Sequence, residues 1–363
     1  MNALIFSFLG ALACTLLIIK SSRSHGAFSA DHDLQGPQKF HSQPVPRIGG
    51  VSLLFAMVAG LAALDVGMDG ASTASIWLLL LCALPAFIGG LAEDLTKRVS
   101  PTWRMVFTAV SAALAIWLLG GVVTRVDLPG VDFLLGFWPI ALLATVFAVT
   151  GIANSVNIID GFNGLASMCV MMILAALAYV AFQVGDRFVA IAALLTIGAV
   201  LGFFVWNFPA GLIFLGDGGA YLLGFLVAEL SVLLLARNPS VSGLFPLLLL
   251  AYPIFETVFS IYRKKFLRGV SPGIPDGVHL HMLVYKRLMR WTLGGTGRHK
   301  TARNSMTSPY LWVLCMLSVI PAVLFWNNTL VLGGFCLLFM VSYVLLYWRI
   351  VRFKAPRWMV VRR

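Results

Sequence analysis

About eleven stretches of nearly uninterrupted apolar residues, each close to the roughly 20 that an α-helix needs to cross a bilayer core, leave this chain few folds. They lie near residues 3–20, 49–66, 75–92, 104–121, 134–153, 165–183, 187–205, 218–236, 243–262, 309–326 and 329–347. Inside lipid every backbone N–H and C=O has to be satisfied within the protein, so only helices and closed barrels can span it. Barrel strands would alternate in polarity over about ten residues, and these runs do not. With 60% hydrophobic and 11% charged residues among 363, the chain has too little polar surface to coat a soluble globule of its length. The expected fold is an all-α polytopic membrane bundle of about eleven transmembrane helices. One domain over residues 1–348 carries polar loops at about 21–48, 93–103, 154–164, 206–217 and 263–308, and a basic tail occupies 349–363.

Basic residues set the expected orientation. With the amino terminus outside and the carboxyl terminus inside, all but Arg125, Arg187 and Arg237 of the 26 Lys and Arg fall on the cytoplasmic side. The first segment has no basic region before it and is followed by Lys20 and Arg23, the pattern of an anchor helix rather than a cleaved signal peptide. The net charge of +12 is thus a topology signal facing anionic lipid, and no nucleic-acid partner is expected. Cys14, Cys82, Cys169, Cys315 and Cys336 each fall in a different apolar segment. They read as small hydrophobes, with no metal-binding spacing.

The 14 acidic residues can be placed one by one. Asp65, Asp69, Asp127, Asp132 and Asp186 fall in outside loops, where solvation accounts for them. Glu93, Asp94, Asp160, Asp217 and Asp276 converge on the cytoplasmic face. In "GLAEDLTKRVSPTWR" the adjacent carboxylates Glu93 and Asp94 stand near Lys97, Arg98 and Arg104. Two readings are open: a solvated helix end neutralised by those cations, or a site for a hard divalent cation such as Mg2+. "NSVNIIDGFNGL" repeats a polar group every third residue at Asn154, Asn157, Asp160 and Asn163. On an α-helix such a step leaves neighbours about 60° apart, which makes one edge polar. A helix cap near Leu165 would need one such residue; the segment supplies four.

"WNFPAGLIFLGDGGAYLLGF" places Asp217 among glycines ahead of an apolar helix, where backbone N–H groups point at anions, with Asn207 ten residues earlier. In the longest inside loop Arg263, Lys264 and Lys265 precede His279 and His281. The two histidines are spaced to share one side of an extended segment, and both they and the cations suit the oxygens of a diphosphate. Glu229 and Glu256 lie within apolar helices, where a carboxylate is costly; Glu256, nearer the inner end, is placed to support the site.

In order and spacing, "PVPRIGG", "GLAEDLTKRVSP", "NSVNIIDGFNGLA", "NFPAGLIFLGDGG" and "SPGIPDGVHLH" resemble the bacterial polyprenyl-phosphate N-acetylhexosamine-1-phosphate transferases, which include the phospho-N-acetylmuramoyl-pentapeptide transferases. The likeness spans roughly residues 30 to 285. It implies a multi-pass enzyme of the bacterial inner membrane, with its active site on the cytoplasmic face, that moves a sugar 1-phosphate from a UDP-sugar to undecaprenyl phosphate and releases UMP. It also implies Mg2+, with Mn2+ as the alternative ion, and a step that initiates a cell-surface polysaccharide. By resemblance the family's aspartate pair falls on Glu93 and Asp94, its asparagine–aspartate motif on Asn154, Asn157 and Asp160, its metal-binding aspartate on Asp217, and its paired histidines on His279 and His281. Two family aspartates are replaced, by Glu93 and Asn163.

On this basis Asp217 and Asp160 are the expected metal ligands. Asp94, with Glu93 and Asp160, would serve catalysis, Asp94 by receiving or orienting the proton of the lipid phosphate. Asn154, Asn157, Asn163, Asn207, Arg263, Lys264, Lys265, His279, His281 and Arg47 would bind substrate, Arg47 at the lipid phosphate. Two rivals fit less well. A secondary transporter would place its ionisable residues near the midplane of repeated halves, whereas these gather at one face. A CDP-alcohol phosphotransferase would need an arginine that "DGFNGLA" lacks.

Overall fold

A computed structural model describes residues 2–31, 40, 44–66, 70–271, 277–289 and 300–352, with only the backbone for 70–72. Asp69, Asp276 and residues 353–363 of the basic tail lie outside the described residues. The chain opens with α1 (Asn2–Lys20) and α2 (Ser22–Ser29); β1 (Ala30–Asp31) then pairs antiparallel with β2 (Val45–Pro46). The bundle continues with α3 (Gly49–Asp65), α4 (Gly70–Thr96), α5 (Pro101–Leu119), α6 (Pro129–Leu135), α7 (Trp138–Ile159), α8 (Leu165–Val184), α9 (Arg187–Asn207) and α10 (Gly216–Arg237). It ends with α11 (Leu244–Leu249), α12 (Ala251–Tyr262), α13 (Leu280–Leu283), α14 (Lys300–Leu324) and α15 (Thr329–Val351). Wide π-type turns occupy Arg263–Leu267 and Val284–Met289. Among the described residues nine helices are long and apolar enough to cross a membrane, and Gly49–Asp65 is a shorter apolar one. The chain is an all-α polytopic membrane protein.

Local chemistry explains several boundaries. Ser100 caps α5, its hydroxyl accepting from Trp103 N, with Pro101 in the first turn; Gly120 ends the helix at φ +70°, a conformation glycine adopts without strain. Asp186 caps α9 by accepting from Val189 N at 3.2 Å. The segment 243–262, expected as a single span, is broken at Leu250 into α11 and α12. Pro253 has no N–H with which to continue the ladder to Leu249. The polar loops at 154–164 and 263–308 are also shorter than expected. Helix α7 runs on to Ile159, so Asn154 and Asn157 are helical, and α14 starts at Lys300, well ahead of residue 309.

Helix α10 is the axis of the bundle. It packs against α3, α4, α5, α7, α8 and α9, and 94% of its spanning window is buried. Close approach depends on residues without side chains, as in other membrane bundles. A Cβ on Gly50 would fall 2.3 Å from Gly219 N, one on Gly90 2.5 Å from the Asp217 carbonyl carbon, and one on Gly224 2.6 Å from Ala153 Cα. Two of these three contacts lie at the end of α10 that carries Asp217.

At the opposite end of the bundle, the acids expected to be merely solvated are bonded. Asp65 accepts from Thr73 and Trp77, Asp186 from Arg237 and Asn238, and Asp127 from Arg125, Gly243 N and Thr329. These bonds tie successive loops together. Between the two ends, Glu229 on α10 is fully buried, and among the described residues neither carboxylate oxygen meets a hydrogen-bond partner.

Candidate active site

Five helix ends converge at one side of the bundle: the last turns of α4, α7 and α9 and the first turns of α5 and α10. The segment before α3 is laid across them. Phe214 N donates to Pro46 O at 2.8 Å, while Gly49 N and Gly50 N donate to Phe214 O and Leu215 O, both at 3.0 Å. That stitching holds Arg47 over the start of α10. Gly216 turns the chain into α10 at φ +75°, and a Cβ there would strike Arg47 O and Asp94 Oδ2; only glycine fits.

Asp217 is the centre of the polar set. Its Oδ1 accepts from Asn157 Nδ2 at 3.1 Å and lies 3.4 Å from Arg47 Nη2; its Oδ2 is paired with Arg104 Nη1. Asp94, 1% exposed, stands behind it. The Asp94 Oδ1 accepts from Asp217 N at 2.9 Å and Oδ2 from Gly218 N at 2.8 Å, so this carboxylate satisfies two orphan donors at the start of α10. Arg47 Nη2, 3.4 Å from Asp94 Oδ1, bridges the two aspartates. Although burial works against its charge, Asp94 and Asp217 hold the Arg47 guanidinium above its ordinary range.

These residues open onto a cavity of about 380 Å³. Arg47, Glu93, Asn157, Asp160, Asn163, Asn207, Asp217 and His279 line it, together with Arg104 and Asn304. At its wall, burial pushes the Asp160 carboxyl up to about 7, with Asp217 adding to the shift and Arg47 opposing it. Glu93 faces the same space while its Oε2 accepts from Val99 N at 2.7 Å. His279 Nδ1 lies 3.0 Å from Glu256 Oε1, and Tyr343 donates to Glu256 Oε2 at 2.8 Å. The rings of His279 and His281 stack at 5.3 Å and 5°, and Phe162 meets His281 edge-on. The cavity wall, which Asp31 also borders, therefore carries four carboxylates, two guanidinium groups, several amides and an imidazole, a set whose cations and donors suit a highly charged phosphate ester.

Comparison with known proteins follows from this geometry. The model of a family described as "Glycosyl transferase family 4" matches residues 76–235, a stretch that contains Glu93, Asp94, Asp160 and Asp217. A Bacillus subtilis protein named probable undecaprenyl-phosphate N-acetylglucosaminyl 1-phosphate transferase is 28% identical over 283 residues, covering 77% of this chain and 75% of its own length. An undecaprenyl-phosphate alpha-N-acetylglucosaminyl 1-phosphate transferase of Thermotoga maritima is 27% identical over 262 residues, 71% of this chain and 74% of its own. A phospho-N-acetylmuramoyl-pentapeptide-transferase of Geobacillus kaustophilus is 31% identical over 210 residues, 55% of this chain and 64% of its own.

Over residues 76–235 the chain is similar to glycosyl transferase family 4.

Within this site the residues singled out from sequence are sorted by the fold into several positions. Asn154 sits one turn deeper on α7 than Asn157 and accepts from Tyr221 OH at 3.1 Å. Asn163, although it borders the cavity, is consumed by packing. Its N–H donates to Asn304 Oδ1 at 2.8 Å, its amide to Ser305 Oγ at 3.0 Å, and its carbonyl accepts from Ser308 at 2.6 Å. Asn207 bridges Gly164 N and Ile213 O at 2.6 and 2.7 Å, so it, and neither Asp160 nor Asn163, serves the turn into α8. Arg263, Lys264 and Lys265 do not border the cavity; Arg263 reaches Val278 O and Tyr347 OH, and Lys265 is exposed. Three contributors escaped the sequence reading: Arg104 as a wall of the site, Asn304, and Phe214. The signal for Arg104 was present in "SPTWR", whose Ser-Pro start puts that arginine in a first helical turn facing the preceding helix end.

Proposed function

We propose that this chain transfers an N-acetylhexosamine 1-phosphate from a UDP-sugar to undecaprenyl phosphate, releasing UMP, at the cytoplasmic face of the bacterial inner membrane. The product, a lipid-linked diphospho-sugar, would initiate a surface polysaccharide. The observation that carries this reading is the meeting of Asp160 and Asp217 with Arg47 and Arg104 around one cavity at the ends of membrane helices, with Asp94 behind Asp217. The names of the Bacillus and Thermotoga relatives agree with it. Acids gathered at one end of the bundle also speak against a transporter, which needs its charges at the midplane.

The acceptor carries its lipid in the bilayer and the donor comes from water, so they can meet only where helices end. An oxygen of the lipid phosphate attacks the sugar-bearing phosphorus. A new P–O–P linkage forms, the old bond from that phosphorus to the bridging oxygen breaks, and UMP leaves with the bridging oxygen. Arg47 and Arg104 flank Asp217 on both carboxylate oxygens, and a guanidinium suits phosphate oxygens equally well; they would hold the diphosphate and the attacking phosphate against each other. His279, oriented by Glu256, would add a donor at the rim. Asp94, with both oxygens already engaged by backbone N–H groups, would position Asp217 and leave proton transfer aside, and a phosphate whose second pKa is about 6 needs little such help near neutral pH.

The donor set fits Mg2+. Asp217 and Asp160 offer hard oxygens within one cavity, and Asn157 stands against the first. Among the described residues no three His, Cys, Asp or Glu group closely enough to hold a metal by themselves, so a cation here would complete its shell with water and phosphate, as this ion commonly does. A bound Mg2+ supplies neutralisation of charge on the diphosphate oxygens.

Purified protein incubated with labelled UDP-N-acetylhexosamines, undecaprenyl phosphate and Mg2+ tests the assignment. Stoichiometric UMP and lipid-linked sugar are expected. Uptake of a solute into vesicles without UMP formation would overturn it.

A further inference from the structure

One turn beyond Asp217 on α10 is Tyr221, to which the reaction above gives no part. Its side chain is 1% exposed, so it does not touch a ligand in the cavity, but it touches two residues that border or underlie it. The guanidinium carbon of Arg104 lies 5.8 Å from the Tyr221 ring centroid, and the same guanidinium is paired with Asp217 Oδ2. The hydroxyl donates to Asn154 Oδ1 at 3.1 Å. Positions 217 and 221 share a helix face, which makes Tyr221 the floor beneath Asp217, joining α5 on one side to α7 on the other.

Arg104 is a long, flexible side chain, and its buried Nε has no hydrogen-bond partner among the described residues. Its place is therefore set by Asp217 at the tip and by the aromatic face along its plane. A cation over a desolvated ring is held with useful strength, and the ring does not compete for the N–H groups that a phosphate would take. The hydroxyl has a second effect. By donating to Asn154 Oδ1 it fixes which way that amide is turned.

We propose that Tyr221 is a positioning residue of the transfer reaction: its ring holds Arg104 at the height where the guanidinium spans Asp217 and the diphosphate, and its hydroxyl sets the amide of Asn154. This inference rests on the reaction proposed above and adds to it the device that keeps the cation in place.

The test is a cycle. Tyr221→Leu is expected to lower kcat for UMP release about tenfold and to raise KM for the UDP-sugar, while Tyr221→Phe, which keeps the ring, retains most of the kcat and loses only a fewfold. In an Arg104→Gln background, Tyr221→Leu is expected to have no further effect; independent, multiplying losses would overturn the proposal. So would a Leu variant that melts lower but keeps native kcat and KM, since that is packing alone. Should Tyr221→Leu fail to yield folded protein, Tyr221→Phe crossed with Asn154→Ala tests the hydroxyl in the same way, and losses that multiply again overturn it. Calorimetric binding of UDP-N-acetylglucosamine, run on the same variants, separates the two layers. No UMP from the native protein removes the proposed reaction, whereas the positioning role fails, with the reaction intact, when Tyr221→Leu and Arg104→Gln weaken binding independently.

Discussion

Asp217 is the residue on which the site turns, because it receives Arg47, Arg104 and Asn157 on its two oxygens. Asp217→Asn keeps the shape and removes the charge. Turnover is expected to fall by roughly a hundredfold or more, the scale found when one preorganised electrostatic partner is lost, with melting temperature nearly unchanged; UMP release by the purified variant checks it. Asp160 gives a pH dependence of definite sign. Its carboxyl, raised by burial to about 7, holds a proton in the folded state at pH values where the unfolded chain, titrating near 4, has released it. The stability owed to that proton is complete below about 4 and is gone once the pH passes about 7. Melting temperature measured without divalent cations should therefore fall across this window more steeply for the native protein than for Asp160→Asn. Asp217 and Asp160 were both visible in sequence, since a carboxylate at the end of an apolar helix has few ordinary uses. Asn163 and Asn207 looked equivalent to them, and the pattern of polar residues could not tell a side chain that faces the cavity from one spent on the turn into α8.

At the level of elements, the glycine contacts and the clasp between the 160–164 turn and α14 decide how accurately the helix ends meet. Gly90 has room for no side chain against Asp217, so Gly90→Ala should part α4 from α10, costing about 1–3 kcal/mol as overpacking does. It should also weaken the two backbone bonds to Asp94. Lower melting temperature together with lower activity is the expected signature. The clasp makes a separate prediction. Restoring the family's aspartate by Asn163→Asp replaces a buried donor with a carboxylate opposite Ser305, and should destabilise the protein by about 1–3 kcal/mol without improving turnover, measured by thermal unfolding and UMP release. The helices themselves were legible because a membrane span announces its length. The break at Leu250 and the early start of α14 were not: both depend on satisfying backbone groups by tertiary neighbours, and periodicity does not register those.

Taken whole, the molecule has two unlike ends joined by a buried axis. One end gathers cations and carboxylates around a cavity; at the other, Asp127, Asp186 and Asp65 lace loops together. The +12 charge read as a topology signal also supplies Arg47 and Arg104 to the site, a double use that counting by loops does not separate. Because one of the two proposed substrates is a lipid, stripping the purified protein of detergent-bound lipid and acceptor should abolish turnover before it abolishes binding of the UDP-sugar. Activity measured on a water-soluble short-chain acceptor with no detergent or lipid present would contradict this.

Helix α10 carries the central carboxylate yet lies almost entirely inside the ring of its neighbours. Stretching, thinning or stiffening of the surrounding bilayer acts first on helices such as α1 and α15, of whose spanning windows only 22% and 17% are buried, and reaches Asp217 only after being transmitted through the helices packed around α10. The proposed transfer should accordingly run at similar rates in membranes of different thickness, and respond to the lipid environment chiefly through how much acceptor that environment delivers.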